Sequence, residues 1–256
     1  MKNLILPLLA AITLSSPLRT VAAALDELPG GELVTASLPA VPVPQRARQL
    51  ICVDPGHPNT FNAATTMVNG TNENRINWQV GLRLERILKE QGYDVLLTRN
   101  AELHYVENKD RARLCNNGSA LAVHLHCEST PGTGFALYYP DRPGVYDYKN
   151  DPENGTRGPA SGVITGSRPL ADALAAGMTE GLAGALRPQG VRGDSRTAVG
   201  SRQGALTYSI FSEIPTVTIE MAVLTNKQDA AFIKSEGGQE RMAGAIAAGI
   251  RLYRAP

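Results

Sequence analysis

Three short apolar runs, each followed by polar residues suited to chemistry, most constrain how this sequence can fold. The residues that follow them are His57 (after residues 50–53), His124 and His126 (after 120–123) and Glu220 (after 215–219). Continuous apolar runs of this length are typical of buried parallel strands, and ligands of such sheets gather outside the carboxyl ends of the strands. The pattern therefore predicts a parallel sheet in which these four side chains meet in one crevice.

Helical periodicity supports a β-helix-β unit early in the chain. Residues 72–91 place apolar side chains at helical spacing, with Thr71 or Asn72 as the N-cap and Gly92 as the stop. Residues 93–98 predict a strand, and the unit implies a right-handed crossover between parallel strands. Further elements are expected as a short helix at 109–117, a strand at 134–139, a long helix at 167–187 and a closing helix at 238–253.

The segment 140–166 is crowded with Gly, Pro, Asp and Asn, which predicts an irregular loop. It either borders a binding groove, with Tyr146 and Tyr148 as contacts, or forms a surface excursion.

The amino terminus predicts export. Lys2, an apolar stretch at 4–14 and small residues at 22–24 match a secretory signal, although an uncleaved anchor is the alternative. We expect a signal peptide at 1–24, a Pro/Gly-rich leader at 25–48 and one catalytic domain at 49–256. The mature chain is expected in the periplasm, cell envelope or extracellular space, as a monomer without a membrane span. A net charge of +1 and the lack of a basic run argue against nucleic-acid binding.

Three cysteines allow at most one internal disulfide. Cys52 and Cys127 lie on two predicted strands of the crevice and could pair. Because free buried cysteine behaves as a small hydrophobe, we favour buried thiols over a pair.

The residues around the crevice predict a zinc site. Catalytic zinc usually takes three His or carboxylate ligands and leaves one position for water. His57 supplies one nitrogen, Glu73 in the first turn of the long helix supplies an oxygen, and His124 or His126 supplies the third donor. We favour His126, which is nearer the carboxyl end of its strand.

Glu220 closes an apolar run, where a carboxylate is costly unless it is paired or functional. It is expected to act as general base beside a zinc-activated water and then as proton donor to a leaving amine. The alternative is a buried ion pair with Arg99 or Arg111.

Each of the other polar residues also has an ordinary structural explanation. A lone strand-end histidine is usually a satisfied core or surface group, and Glu73 alone suits a helix N-terminus. Asp54 either orients the second nitrogen of His57 or caps the local turn. Asn77, one helical turn after Glu73, faces either the crevice or solvent.

In combination and order, these motifs resemble the zinc-dependent N-acetylmuramoyl-L-alanine amidases of bacterial cell-wall turnover, the amidase 3 family. The resemblance runs from about residue 49 to the C-terminus and rests on ICVDPGH at 51–57, NEN at 72–74, LTR at 97–99, Arg111, LH at 125–126, GFALYY at 134–139 and PTVTIEMAVLTN at 215–226. It implies a single α/β domain whose mostly parallel, twisted sheet has helices on both faces. It also implies Zn²⁺ held by His57, Glu73 and His126, with Glu220 catalytic, and peptidoglycan or muropeptides as substrate.

The sequence departs from the family pattern at Pro58 and Ala222, where glycines are usual, and at His124, where serine is usual. His124 would then be a substrate contact or a competing ligand. Segment 140–166 has breakers and no apolar stripe, so it is a poor candidate for an inhibitory helix, and we expect activity without an activator protein. Two alternatives to the amidase are a catalytically silent peptidoglycan-binding protein and a zinc carboxypeptidase that acts on stem peptides. The carboxypeptidase would need a positive residue, with Arg99, Arg192 and Arg202 as candidates.

Overall fold

A computed structural model of the chain describes residues 49–254. The predicted signal peptide at 1–24 and leader at 25–48 lie outside the described residues. Within 49–254 no helix is long and apolar enough to cross a membrane.

The domain is built on a six-stranded mixed sheet with the strand order β2-β1-β3-β8-β4-β7. The strands are Leu50–Pro55 (β1), Asp94–Leu97 (β2), Leu121–Glu128 (β3), Phe135–Tyr139 (β4), Pro188–Gly193 (β7) and Thr216–Val223 (β8), and a separate hairpin pairs Gly144–Val145 (β5) with Arg157–Gly158 (β6). Strands β2, β1, β3 and β8 are parallel, whereas β4 runs antiparallel to β8 and parallel to β7. The predicted mostly parallel sheet is thus confirmed.

Helices cover both faces of this sheet. The longer helices are Glu73–Glu90 (α1), Asn108–Asn116 (α2), Ser161–Gly181 (α3), Lys227–Lys234 (α6) and Glu236–Arg254 (α7), and the short ones are Ala198–Gln203 (α4) and Thr207–Ile210 (α5). On one face α1, α3 and α7 pack around a large apolar core, and on the other α2 and α5 pack around a smaller one. Alternation along β1 sends Ile51 and Val53 to the first core and Cys52 to the second.

Helix α1 forms for the reasons its sequence predicts. The Asn72 side chain accepts a hydrogen bond from the Arg75 main-chain N–H at 2.9 Å, and Gly92 has a φ of +87° just beyond the helix. Val80 and Leu84 are fully buried on the sheet side. This cap places Glu73 at the first helical position, next to the loop that follows β1.

The chain between β4 and β7 differs from expectation. Helix α3 begins at Ser161, six residues before the predicted start, and continues through Pro169 to Gly181. The early start places Gly166 inside the helix, where a side chain would come within 2.9 Å of Pro215, so the close passage of α3 favours a residue without one. The hairpin of β5 and β6 also gives part of the predicted loop regular structure.

The prediction of buried thiols was wrong for Cys52 and is confirmed for Cys127. Cys52 and Cys115 form a disulfide that joins β1 to α2, with Cα atoms 5.4 Å apart, and Cys127 is a buried free thiol. Cys52 and Cys127 belong to cores on opposite faces of the sheet, which prevents their pairing.

Candidate metal centre and active site

Three potential metal donors meet above the carboxyl end of the parallel strands. The group consists of His57, Glu73 and His126, each of which offers one donor atom, and these atoms lie within 4.8 Å of one another. Glu73 Oε1 is 3.4 Å from His57 Nε2 and 2.7 Å from His126 Nδ1. This group could hold a metal ion.

The backbone brings these donors together from three elements. His57 lies in the turn after β1 with a φ of +58°, which is uncommon for a residue other than glycine. His126 lies on β3, whose strand continues to Glu128, so the histidine is inside the strand and not at its end as predicted. A Cβ atom at Gly56 would lie 2.4 Å from the His126 ring, so this position requires glycine.

Hydrogen bonds and charge keep these groups in forms that suit metal binding. His57 Nδ1 donates to the Asn62 carbonyl at 2.9 Å, which leaves Nε2 as the unprotonated nitrogen. Burial opposes ionisation of Glu73, but its interactions with the His126 and His57 rings outweigh burial and hold the pKa of this carboxyl below its usual range. Burial lowers the pKa of His126.

Glu220 lies opposite His126 in the pairing of β8 with β3. Burial, together with repulsion from Glu73 and Glu128, raises its pKa well above the usual value. Its Oε2 atom is buried and has no hydrogen-bond partner among the residues that the structure describes.

The alternative ion pairs for Glu220 are not formed. Arg111 pairs with Asp54 at 3.2 Å, and Arg99 donates to the main-chain oxygens of Pro55, Ala101 and Glu102. Glu220 is therefore a carboxylate placed beside the donor group without a neutralising arginine from either of these positions.

Of the two roles considered for Asp54, the contact with His57 is not formed. Its Oδ2 atom contacts His124 Nδ1, and it accepts hydrogen bonds from the Thr98 hydroxyl and the Arg111 guanidinium. Pairing in register explains the difference, because Asp54 on β1 lies directly opposite His124 on β3.

His124 lies behind the donor group. Its Nε2 is 2.6 Å from His126 Nε2, and its ring stacks on Tyr208 at a centroid distance of 4.3 Å. Tyr208 belongs to no recognisable sequence motif, and the sequence analysis therefore did not identify it. His124 also lines the cavity, and its role as a substrate contact stays a prediction.

Asn77 does not face the crevice or solvent. Its side chain is fully buried and donates to the Gly56 carbonyl at 3.1 Å. It therefore supports the turn that carries His57, since it links α1 to the segment just after β1.

A cavity of about 760 Å³ opens over these groups. His57, Glu73, His126 and Glu220 line its floor, and an aromatic cluster of Phe61, Tyr146 and Tyr148 lines one part of its wall, with ring centroids 5.1 Å (Phe61 to Tyr148) and 4.9 Å (Tyr146 to Tyr148) apart. Tyr146 and Tyr148 were predicted as groove contacts, and the exposed ring of Phe61 was missed.

Arginines line another part of the cavity wall. Arg192 on β7 and Arg196 just after it belong to this wall, together with Gln189. Strand β7 is an edge strand separated from β1 by three others, so at about 4.8 Å per strand β1 and β7 lie roughly 19 Å apart.

Comparisons with known proteins agree with this architecture. The family model described as N-acetylmuramoyl-L-alanine amidase matches residues 51–252. A sporulation-specific N-acetylmuramoyl-L-alanine amidase of Bacillus subtilis is 38% identical over 95 residues, which is 36% of this chain and 36% of that relative.

Solved structures show the same fold. The amidase AmiC2 of Nostoc punctiforme has a TM-score of 0.62 at 21% identity, over 80% of this chain and 96% of that one. The amidase Ami1 of Mycobacterium abscessus has a TM-score of 0.63 at 20% identity, over 81% of this chain and 99% of that one. Because the family model covers most of the described residues, the chain belongs to the N-acetylmuramoyl-L-alanine amidase family.

Proposed function

We propose that this chain is an exported, zinc-dependent amidase of cell-wall remodelling or turnover. It would hydrolyse the amide between N-acetylmuramic acid and the L-alanine of peptidoglycan stem peptides. The observation that carries the proposal is the meeting of two imidazoles and two carboxylates in one cavity of a chain from this family.

The donor set suits zinc. Two imidazole nitrogens from His57 and His126 and one oxygen from Glu73 are ligands that catalytic zinc commonly takes. When bound, zinc supplies Lewis-acid polarisation of the scissile carbonyl and lowers the pKa of water to about 7.

Glu220 is the proposed general base and general acid. Its buried Oε2 atom has no hydrogen-bond partner among the described residues, so it can take a proton from the attacking water. The water oxygen bonds to the carbonyl carbon, the C–N bond breaks, and Glu220 returns the proton to the leaving nitrogen of L-alanine.

The two parts of the cavity wall suggest how the substrate lies. Phe61 and Tyr148 offer ring faces on which a sugar can pack, while Arg192 and Arg196 offer charges that can pair with peptide carboxylates. We therefore place the muramic acid at the aromatic cluster and the stem peptide toward β7.

One observation keeps the carboxypeptidase as a second candidate. Of the three arginines considered for holding a free carboxylate, Arg192 lines the cavity, Arg202 lines a different one, and Arg99 is buried against main-chain carbonyls. A carboxypeptidase would release a terminal amino acid, whereas the amidase releases a stem peptide with a free L-alanine amine.

The direct test of the catalytic carboxylate is Glu220→Gln. General acid–base catalysis contributes about 10²- to 10⁴-fold to the rate. Turnover of purified peptidoglycan should therefore fall by at least about 10²-fold, while binding to insoluble wall is retained. Glu180→Gln, on an exposed position of α3, is the matched control and should retain full turnover. A Glu220→Gln protein with normal turnover would remove Glu220 from the mechanism.

A further inference from the structure

We propose that Asp54 and His124 form a positioning pair that fixes the tautomer of His126, so that His126 presents Nδ1 to the metal. This inference rests on the proposed metal site, which it deepens. It assigns a function to the histidine that stands where the family usually has a serine.

Both ring nitrogens of His126 already have partners. Nδ1 is 2.7 Å from Glu73 Oε1, on the side of the donor group, and Nε2 is 2.6 Å from His124 Nε2, on the side away from Glu73. A histidine that binds metal through one nitrogen usually donates a proton from the other to an outer partner. The geometry makes His124 that partner.

The direction of each hydrogen bond follows from Asp54. Arg111 forms an ion pair with Asp54 and the Thr98 hydroxyl donates to it, so the carboxylate is an acceptor. His124 Nδ1 must then carry the proton that is shared with Asp54. A neutral His124 therefore has a free lone pair on Nε2.

That lone pair determines the tautomer of His126. Two nitrogens 2.6 Å apart need one proton between them, and since His124 Nε2 carries none, His126 Nε2 must supply it. The His126 Nδ1 lone pair then points toward Glu73 Oε1, another acceptor. Both atoms can then donate a lone pair to the same metal ion, which would lie on the Glu73 side of His126.

The surroundings hold this pair in place. Asp54 and Arg111 are fully buried, and His124 is only 3% exposed and stacks on Tyr208 with its ring plane inclined by 10°. The pairing of β1 with β3 sets Asp54 opposite His124. The His124 ring, held by Asp54 and stacked on Tyr208, cannot easily rotate to present its other nitrogen to His126.

The first test measures zinc affinity at fixed pH by competition with a chromophoric chelator. His124→Leu removes the acceptor and should weaken zinc binding by about 10- to 100-fold, whereas the side-chain carbonyl of His124→Gln can still accept from His126 and should restore most of it. His104→Leu, at an exposed histidine, is the control and should bind as the wild type does. Wild-type affinity in a folded His124→Leu protein would overturn the proposal.

The second test reads the tautomers by ¹⁵N NMR of the histidine rings, with and without zinc. The expected result is a proton on Nδ1 but not Nε2 of His124, and a proton on Nε2 of His126, in both states. A protonated Nε2 on His124 would overturn the proposal even if the wild type failed to bind zinc. Failure of the wild type to bind zinc would overturn the proposed function, so the two failures are distinguishable.

Discussion

Removing the disulfide between Cys52 and Cys115 should lower the free energy of unfolding by about 4 kcal/mol. The two residues are 63 positions apart, and a loop of that length gives this value in the chain-entropy model, because the cross-link restricts the unfolded chain. The bridge ties β1, which leads to His57, to α2, which carries Arg111.

Urea unfolding of a Cys52→Ala/Cys115→Ala protein, followed by far-UV circular dichroism, measures this contribution. At a slope of roughly 2–3 kcal/mol per molar urea, the disulfide alone corresponds to a midpoint shift of about 1.5–2 M. Cys127→Ala removes one buried sulfur without opening a cross-link, and it should cost about 1 kcal/mol. The double variant loses two buried sulfurs, so twice the cost of Cys127→Ala is subtracted from its loss of unfolding free energy. The remainder is the contribution of the cross-link.

A double variant that loses no more than twice the cost of Cys127→Ala would refute the reasoning. It would mean that the cross-link does not constrain the unfolded chain as the model requires. Reduction of the wild type with a phosphine gives an independent check, because it opens the same bond without changing the sequence, and it should produce a shift of the same size.

Three further predictions follow from packing, charge and exposure. A Cβ at Gly249 would lie 2.5 Å from the α3 backbone, whereas one at Gly244 meets nothing within 4 Å, so Gly249→Ala should destabilise by about 1–3 kcal/mol and Gly244→Ala should stabilise by about 0.5–1 kcal/mol in urea unfolding. Burial raises the pKa of Asp194 to about 6, above the 3.8 of an unconstrained aspartate, so the folded state binds this proton more tightly. The stability contributed by this proton is present below pH 4 and is lost as the pH rises to 6, by up to about 3 kcal/mol, and Asp194→Asn should remove that loss. Parallel stability curves for the wild type and Asp194→Asn between pH 4 and pH 7 would contradict this assignment. Phe61 is 67% exposed, so Phe61→Ala should leave the melting temperature unchanged but raise KM for a muramoyl peptide by about 3- to 10-fold, and an equal rise for a lactoyl peptide without the sugar ring would rule out sugar packing.

The sheet and α1 were predictable because local signals and tertiary packing agree there. Apolar runs define β1 and β3, and Asn72 and Gly92 mark the ends of α1. The gathering of His57, Glu73, His126 and Glu220 followed from the rule that carboxyl ends of parallel strands meet at one edge.

The rest was not predictable, because long-range packing overrides local signals. Residues 161–166 were predicted as the end of a loop, yet they form the first turns of α3, which packs against the sheet and α7. Strand β7 has no apolar run, since it is an exposed edge strand paired only with β4.

The contacts that surround the metal donors were not predictable for a related reason. The partner of Asp54 is decided by the register of two strands, which spacing along the chain does not reveal. The Cys52–Cys115 bridge likewise depends on which face of β1 Cys52 occupies and on the position of α2, which carries Cys115.

Product analysis of purified peptidoglycan by mass spectrometry tests the central claim most directly. The purified protein is incubated with peptidoglycan, with and without a zinc chelator, and Glu220→Gln serves as the matched control. We expect stem peptides with a free L-alanine amine, released by the wild type alone and only when the chelator is absent. Loss of only a terminal amino acid, no release at all, or release that persists with the chelator would contradict it.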